Sequence, residues 1–371
     1  MNNFDLTYIT VDSLSEGVGS SQILPLIERL SLEGLKIKLI TFEKVSPQNE
    51  LTSKLNKLGI KWLPLEFQTQ GYSSAIKRIF ELSKNIESTN IIHARSDIPA
   101  FAAIMSKQAP VLWDVRSLWS DQRAFMEEKY WKRQLIKSNR LFEWVASKES
   151  RAMSTLTESV VPILETRYRS VPNLRIVVPT SVNLDTFKFS NQIKSKVMGL
   201  YSGTYNNFYD LEVSKKFTDT LKGFIDLEMH WARPKESSTV TLGVSESQVF
   251  ESTQGEMATI IPKYSFGMSV CKINAGPSLK AAMPTKVAEF LACGRPVVIN
   301  KGLGDLDKYL MEFDAGIILN DSPGDLNEKA NALLSLIDDP ETPMRCRALA
   351  EKYFDLEKGA EKYLDVYKVM F

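Results

Sequence analysis

Short apolar runs alternate with longer amphipathic stretches along almost the whole chain. LTYITVD (6–12) reads as a strand and leads through the loop SLSEGVGSS into QILPLIERLSLEG. In that segment Ile23, Leu26, Ile27 and Leu30 fall three to four residues apart, on one helical face. Gly34 follows, where a glycine can take the left-handed backbone that closes a helix. KIKLITFE, IKWLPLEF, NIIHARS, VLWDVRS, MSTLTES and LRIVVPT predict further strands. Amphipathic PQNELTSKLNKLG, SSAIKRIFELSKNIE and IPAFAAIMSKQ lie among them, and one long helical region runs to about Ser150. Strand–helix alternation on this scale predicts parallel strands joined by right-handed crossovers, a doubly wound α/β sheet.

The pattern then restarts. KVMGLYSGT repeats the form of the opening, a buried strand running into a Gly/Ser/Thr loop before the helix YDLEVSKKFTDTLKGF. IDLEMHWA, STVTLG, GMSVCKI, RPVVIN and AGIILN follow as strands, and the tail from 341 to 371 is almost wholly helical in pattern. VVPTSVNLDTFKFS (177–190) has no helical period and marks the boundary. The chain therefore reads as two Rossmann-like domains, 1–180 and 181–355, with a final helix in 356–371 expected to pack back on the first. Such sheets bind ligands at the carboxyl ends of their strands, so the expected active site is a cleft between two facing domains.

Composition narrows the chemistry. The 371 residues carry 46 Lys+Arg against 45 Asp+Glu, a net charge of +1. That balance excludes a general nucleic-acid binder, which needs a basic excess to displace phosphate counterions. It leaves room for one local basic face. In YWKRQLIKSNRLFEW (130–144), Lys132, Arg133, Lys137 and Arg140 interleave with Trp131, Leu135, Ile136 and Phe142. This mixture suits contact with an anionic membrane, and equally an amphipathic helix packed on its own sheet. With no apolar run near the roughly 18 residues of a membrane span, and no basic segment before an apolar core at the start, a cytoplasmic protein is expected, associated at most with the inner face of a membrane. Cys271, Cys293 and Cys346 have no paired spacing, which fits a reducing compartment without a disulfide framework or zinc site. His93 and His230 are too few for a His-rich metal centre.

Several segments could carry chemistry. Gly17, Val18, Gly19 and Ser20 follow the first strand and open a helix, where backbone N–H groups can meet a phosphate, or simply make a tight turn. No GxGxxG or GxxxxGK[ST] is present. Glu43 lies too late to be the acidic residue of a dinucleotide fingerprint, so a nicotinamide-dependent oxidoreductase is disfavoured. In AAMPTKVAEFLACGRPVVINKGLGD (281–305), Thr285 reads as an N-cap after Pro284. Val287, Phe290 and Leu291 form the apolar face there, and Gly294 the end. Glu289, one turn beyond Thr285, could accept from two vicinal ribose hydroxyls, or be an exposed residue with a distant ion pair. His93 in HARSDIPA, and Asp114 and Arg116 in WDVRSLW, stand at strand carboxyl ends and are the catalytic candidates. His93 could equally be a core histidine, and Asp114 and Arg116 could pair with each other. Asp305-Leu306-Asp307 spells a DxD, but its place at a helix start reads as capping, so no metal site is indicated.

PTKVAEFLACGRPVV resembles the C-terminal donor-binding signature of glycosyltransferase family 4, retaining nucleotide-sugar enzymes of the GT-B fold. YITVDSLSEGVGSSQILPLIERL resembles that family's first strand and Gly-rich loop. IIHARSDIPA and VLWDVRSLWSDQ resemble its acceptor-side segments, IVVPTSVNLDTF its interdomain linker, and LYSGTYNNFYDLE, with Gly203, the opening of its donor domain. The resemblance runs in order over nearly the whole chain.

The resemblance implies a hexosyltransferase-type enzyme that moves a sugar, with retention, from a nucleotide-sugar donor to a glycan or lipid-linked acceptor in surface polysaccharide or lipopolysaccharide synthesis. It implies no cofactor and no required metal. Glu289 matches the family's ribose-binding Glu, while Ala281 stands where a Glu contacts the donor sugar. A subset of the family reads Pro-Thr-Lys before the helix, and there Lys286, and with it Lys280, would meet the diphosphate, or else both are solvated surface lysines. Arg233 and Lys235 are the nearest positions to the family's diphosphate-neutralising pair, or else surface charge. Backbone N–H groups of residues 17–20, and of Thr285 and Lys286 after Pro284, would stabilise the departing diphosphate. Two other readings stay open: a catalytically impaired donor-binding homologue, because of Ala281, and a nucleotide-sugar epimerase on the same fold.

Overall fold

The computed structural model describes residues 3–67, 71–191, 196–203, 206–233, 248–320 and 325–371. The chain divides into two units, one of Met1–Val178 with Leu356–Phe371 and one of Pro179–Asp355. The STVTLG segment and Lys235 lie outside the described residues.

The first unit holds β1 (Phe4–Ile9), β2 (Ile37–Glu43), β3 (Lys61–Glu66), β4 (Thr89–Arg95), β5 (Val111–Val115), β6 (Ala152–Thr155) and β7 (Leu174–Val177). They form one parallel sheet in the order β3-β2-β1-β4-β5-β6-β7. Its central strands are covered on both faces, so β2 and β5 are buried at every position, the polar Lys38, Thr41, Glu43 and Asp114 included. Leu26, Ile27 and Leu30 of the Leu24–Leu32 helix enter the core beside Leu356, Tyr363, Val366, Tyr367 and Met370 of the Leu356–Met370 helix. Each large apolar side chain buried this way is worth roughly 1.5–3 kcal/mol. The C-terminal helix is thus an integral part of this unit, although 177 residues of the second unit intervene in sequence.

The region expected to be one long helix is three: Trp119–Met126, Tyr130–Lys137 and Arg140–Glu149. Glu127 takes an extended backbone at the first break. At the second, the Ser138 hydroxyl donates to the Leu135 carbonyl, the local competition that makes Ser-Asn a poor helix interior.

The second unit holds β8 (Val197–Ser202), β9 (Leu227–Arg233), β10 (Val249–Glu251), β11 (Phe266–Ser269), β12 (Val297–Asn300) and β13 (Gly316–Leu319). They form a parallel sheet in the order β10-β9-β8-β11-β12-β13. The three-residue β10 has too short an apolar period to be seen in the sequence. In each sheet the order reverses once, between β1 and β4 and between β8 and β11. Such a switch point leaves a crevice outside the strand carboxyl ends, where open α/β sheets bind ligands.

Candidate functional site

In the second unit, the switch point is flanked by the residues that follow β8 and β11. Gly203 comes directly after β8, at φ +146°, its N–H donating 3.2 Å to the Ala232 carbonyl. Beyond β11, the Cys271 N–H donates 2.6 Å to Oδ1 of Asn300 at the end of β12. Lys286 reaches this place from the first turn of the Thr285–Ala292 helix. A Cβ on Gly203 would lie 1.7 Å from Lys286 Nζ, so only a glycine admits the amine there. The ammonium sits 4.1 Å from the Tyr209 ring centroid and 5.8 Å from that of Tyr201.

Lys286 is 7% exposed, and its Nζ has no hydrogen-bond partner. It is therefore no solvated surface lysine. Burial pushes its pKa down to about 8, against the opposing pull of Cys271 and Glu289. Tyrosine faces attract the cation but accept none of its three N–H donors in the ordinary way. An anion at the crevice would supply what the protein leaves out.

Glu289 lies three residues further along the same helix and is 6% exposed. This burial removes the reading as an exposed helix residue, and the i, i+3 spacing puts carboxylate and ammonium on one helical face. Thr285 is not the N-cap. Pro284 takes that position, with an extended backbone and no side-chain cap, and Thr285 is the first helical residue. Gly294 closes the helix at φ +78°. Ala281, in the place of a Glu, is buried.

The other charges expected here have neighbours of their own. Lys280 is exposed, its amine beside Gly302. Arg233 ends β9 and pairs at 3.1 Å with Glu251 of the neighbouring β10, while its buried Nε has no hydrogen-bond partner. Asp305 holds the N-cap position of the Leu306–Phe313 helix but makes no side-chain cap bond. Asp307 is the carboxylate that accepts from the Gly302 N–H, at 2.9 and 3.1 Å. Among the described residues no group of His, Cys, Asp and Glu could hold a metal ion.

In the first unit, the Gly-rich loop is tied down from beneath. Gly19 sits so close to the chain that a Cβ would fall 1.8 Å from the Ser13 carbonyl oxygen. The Gly19 and Ser20 N–H groups both donate to the Glu16 carbonyl. The phosphate cradle expected from residues 17–20 is accordingly narrowed, because two of its four amides are already engaged. Glu43, at the end of β2, accepts from the Ser13 hydroxyl (2.5 Å), the Leu14 N–H (2.9 Å), the Ser15 hydroxyl (3.2 Å) and the Thr41 hydroxyl (2.6 Å). It anchors the loop, a role its sequence position did not suggest.

His93 and Asp114 are both fully buried. His93 Nδ1 is 2.6 Å from the Tyr367 hydroxyl, and Nε2 is 3.4 Å from Asp114 Oδ2. Burial lowers the His93 pKa, so the ring is neutral near pH 7. Asp114 accepts from Ser154 (2.8 Å) and Tyr363 (3.3 Å), with Arg116 at 3.6 Å and Arg95 at 3.7 Å. Burial alone would raise its pKa, but Arg116, His93 and Arg95 outweigh that and hold the carboxyl well below the usual range. Arg95 also bonds Asp12, whose side chain remains 39% exposed. The structure thus gathers His93, Asp114 and Arg116 as expected, but inside the fold and closed over by two tyrosines of the C-terminal helix. This favours the core-histidine reading, with Asp114 and Arg116 paired. Asp12 and, at 11% exposure, Arg116 are the members of the group nearest solvent.

The basic segment 130–144 spans two helices. Tyr130–Lys137 buries none of its residues. Tyr130 is 74% exposed and Trp131 63% exposed, with Leu135, Leu141 and Trp144 also in the open. The alternative of a helix packed on its own sheet therefore fails for residues 130–137.

Neither a protein-family profile nor a curated protein sequence matches the chain. Solved structures do. Sucrose-phosphate synthase from Thermosynechococcus elongatus is similar at a TM-score of 0.71 and 15% identity, over 99% of this chain and 98% of that one. WaaG, a glycosyltransferase involved in lipopolysaccharide biosynthesis, is similar at a TM-score of 0.68 and 14% identity, over 98% and 99%. Anabaena HepE in complex with UDP-glucose is similar at 0.69 and 12%, over 99% and 100%. The chain has the GT-B glycosyltransferase fold. Within that fold the switch point of the second unit, with Gly203, Lys286 and Glu289, is the candidate ligand site. Among the described residues no helix is long and apolar enough to cross a membrane.

Proposed function

We propose that this chain is a retaining, metal-independent glycosyltransferase that moves a hexose from a nucleotide-sugar donor to a glycan or lipid-linked acceptor. One observation carries the reading: a nine-tenths buried ammonium without a hydrogen-bond partner, at a sheet switch point, one turn from a buried carboxylate. Lys286 would neutralise the diphosphate and Glu289 would accept from the ribose hydroxyls, while first-turn amides of the Thr285–Ala292 helix add donors. As charge develops on the departing diphosphate, preorganised donors stabilise it without reorganising. The HepE structure holds UDP-glucose on a similar fold, which makes a uridine nucleotide the first donor to test. The exposed aromatic and basic face of Tyr130–Lys137 supports docking on an anionic membrane, which suits a lipid-linked acceptor in surface polysaccharide or lipopolysaccharide synthesis at the cytoplasmic leaflet.

Buried Ala281 favours a second reading, a homologue that binds the donor without turning it over. Calorimetric titration with UDP and UDP-glucose, beside a transfer and hydrolysis assay, separates the two. Glu289→Ala should weaken UDP binding by about 1–3 kcal/mol through lost charged hydrogen bonds. Binding unchanged in that variant removes Glu289 from the site. Absence of both binding and turnover with UDP-, GDP- and ADP-sugars overturns the enzyme reading, and binding without turnover selects the impaired homologue.

A further inference from the structure

A pocket of about 350 Å³ opens at the amino-terminal edge of the first unit's sheet, where the chain enters β6 and β7. The Gly-rich loop and the His93 group lie toward the opposite, carboxyl edge. Lys148, Ser150 and Arg151 line the pocket from the end of the Arg140–Glu149 helix, and Ser170, Pro172 and Asn173 from the loop before β7. Val369 of the C-terminal helix completes it. No carboxylate is among the described lining residues, so Lys148 and Arg151 stand at the pocket with no lining counter-charge, the Lys148 amine 4.5 Å from the Trp144 ring centroid. The Ser150 hydroxyl is buried and has no hydrogen-bond partner.

The volume is near the lower end of the roughly 300–1,000 Å³ typical of small-molecule sites. Hydroxyls, an amide and two cations offer donors to an anion, and Pro172 with Val369 offers apolar surface to the C–H face of a ring. The pocket also adjoins the carbonyl end of the Arg140–Glu149 helix. That partial negative charge disfavours a bare anion and favours a ligand that brings hydroxyl donors of its own.

We propose that this pocket is a second, non-catalytic saccharide site, which takes a pyranose bearing a carboxylate or phosphate, as in an acidic unit of a glycan acceptor. That the ligand is a sugar rests partly on the glycosyltransferase reading; that it is anionic rests on the pocket alone. The test is calorimetric or ligand-observed NMR titration of the full chain with glucose 6-phosphate, glucuronate, glucose and inorganic phosphate, each with excess UDP present. At least one acidic sugar should bind tenfold or more tighter than glucose and than phosphate. The exposed pair Lys148→Ala/Arg151→Ala should weaken that binding at least tenfold and leave UDP affinity and the circular dichroism spectrum unchanged. Phosphate binding as tightly as the acidic sugars, or glucose doing so, overturns the proposal. So does an unaltered affinity in the double variant. A chain that binds acidic sugar here but no nucleotide refutes the donor-site reading alone, and the reverse result refutes this proposal alone.

Discussion

Lys286→Met is expected to stabilise the protein near pH 7 while weakening its hold on a nucleotide. The magnitude follows from the burial of the amine. Its pKa falls from 10.5 to about 8, roughly 2.5 pH units at about 1.36 kcal/mol each, or about 3 kcal/mol. Below pH 8 both folded and unfolded chains carry the proton, and the folded state bears the full cost of the buried charge. Between pH 8 and 10.5 the unfolded chain still holds the proton and the folded chain does not, so wild-type stability gains relative to the variant as pH rises. Methionine keeps the stem's place beside Gly203 but loses the cation–ring attraction, worth roughly 0.5–2 kcal/mol. The net expectation is a gain of about 1–3 kcal/mol at pH 7 that disappears by about pH 10. Urea unfolding of both proteins at pH 7, 8.5 and 10 measures it, with Trp231 as the reporter buried in the second unit. A variant no more stable than wild type at pH 7, or a difference that does not change with pH, refutes the reasoning.

Gly19→Ala places a Cβ 1.8 Å from a backbone oxygen, so it should cost at least about 1–3 kcal/mol and speed amide exchange across residues 13–21; unchanged exchange there contradicts the picture of an anchored loop. Asp114→Asn removes the carboxylate that faces Arg95 and Arg116, and should destabilise by roughly 3–5 kcal/mol, toward the lower figure because Asp12 still pairs Arg95; a loss below about 1 kcal/mol in urea unfolding argues against a buried charge network. Because burial depresses the His93 pKa, the unfolded chain takes up the proton first and stability falls as pH drops through 6.5. His93→Gln should flatten the melting temperature between pH 7 and 5, and an unaltered slope excludes His93 as its source. Tyr367→Phe removes the partner of His93 Nδ1 and should cost about 1–3 kcal/mol in thermal or urea unfolding; a smaller loss would separate the C-terminal helix from that network.

Much of the candidate donor site was readable from the residues. The PTK–helix–Gly–strand order of 284–300 specifies a local path, because Pro284, Gly294 and the apolar spacing of Val287, Phe290 and Leu291 act within one or two turns of chain. The same local rules misplaced the N-cap at Thr285 and joined three helices into one between 119 and 149, since single-residue capping and breaking preferences are smaller than the packing terms that settle boundaries. The strand-end polar cluster in HARSDIPA and WDVRSLW was legible as a place. Its role was not, because the tyrosines that cover His93 come from residue 363 and beyond. Glu43 was set aside as a ligand of ribose, and only the fold reveals that four donors of the Gly-rich loop and its strand converge on it.

The sequence by itself determined the alternation of parallel strands and crossover helices, the restart near residue 180 and the helix-and-turn path of 284–300, since each depends on periodicity and turn chemistry within a few residues. Tertiary structure alone decided the state of the charges. Whether Lys286 is solvated or sealed against Gly203 and Tyr209, and whether His93 faces substrate or the core, depends on which distant segments pack beside them. Burial sets the electrostatic cost of a charge, and burial is a property of neighbours that lie far apart along the chain.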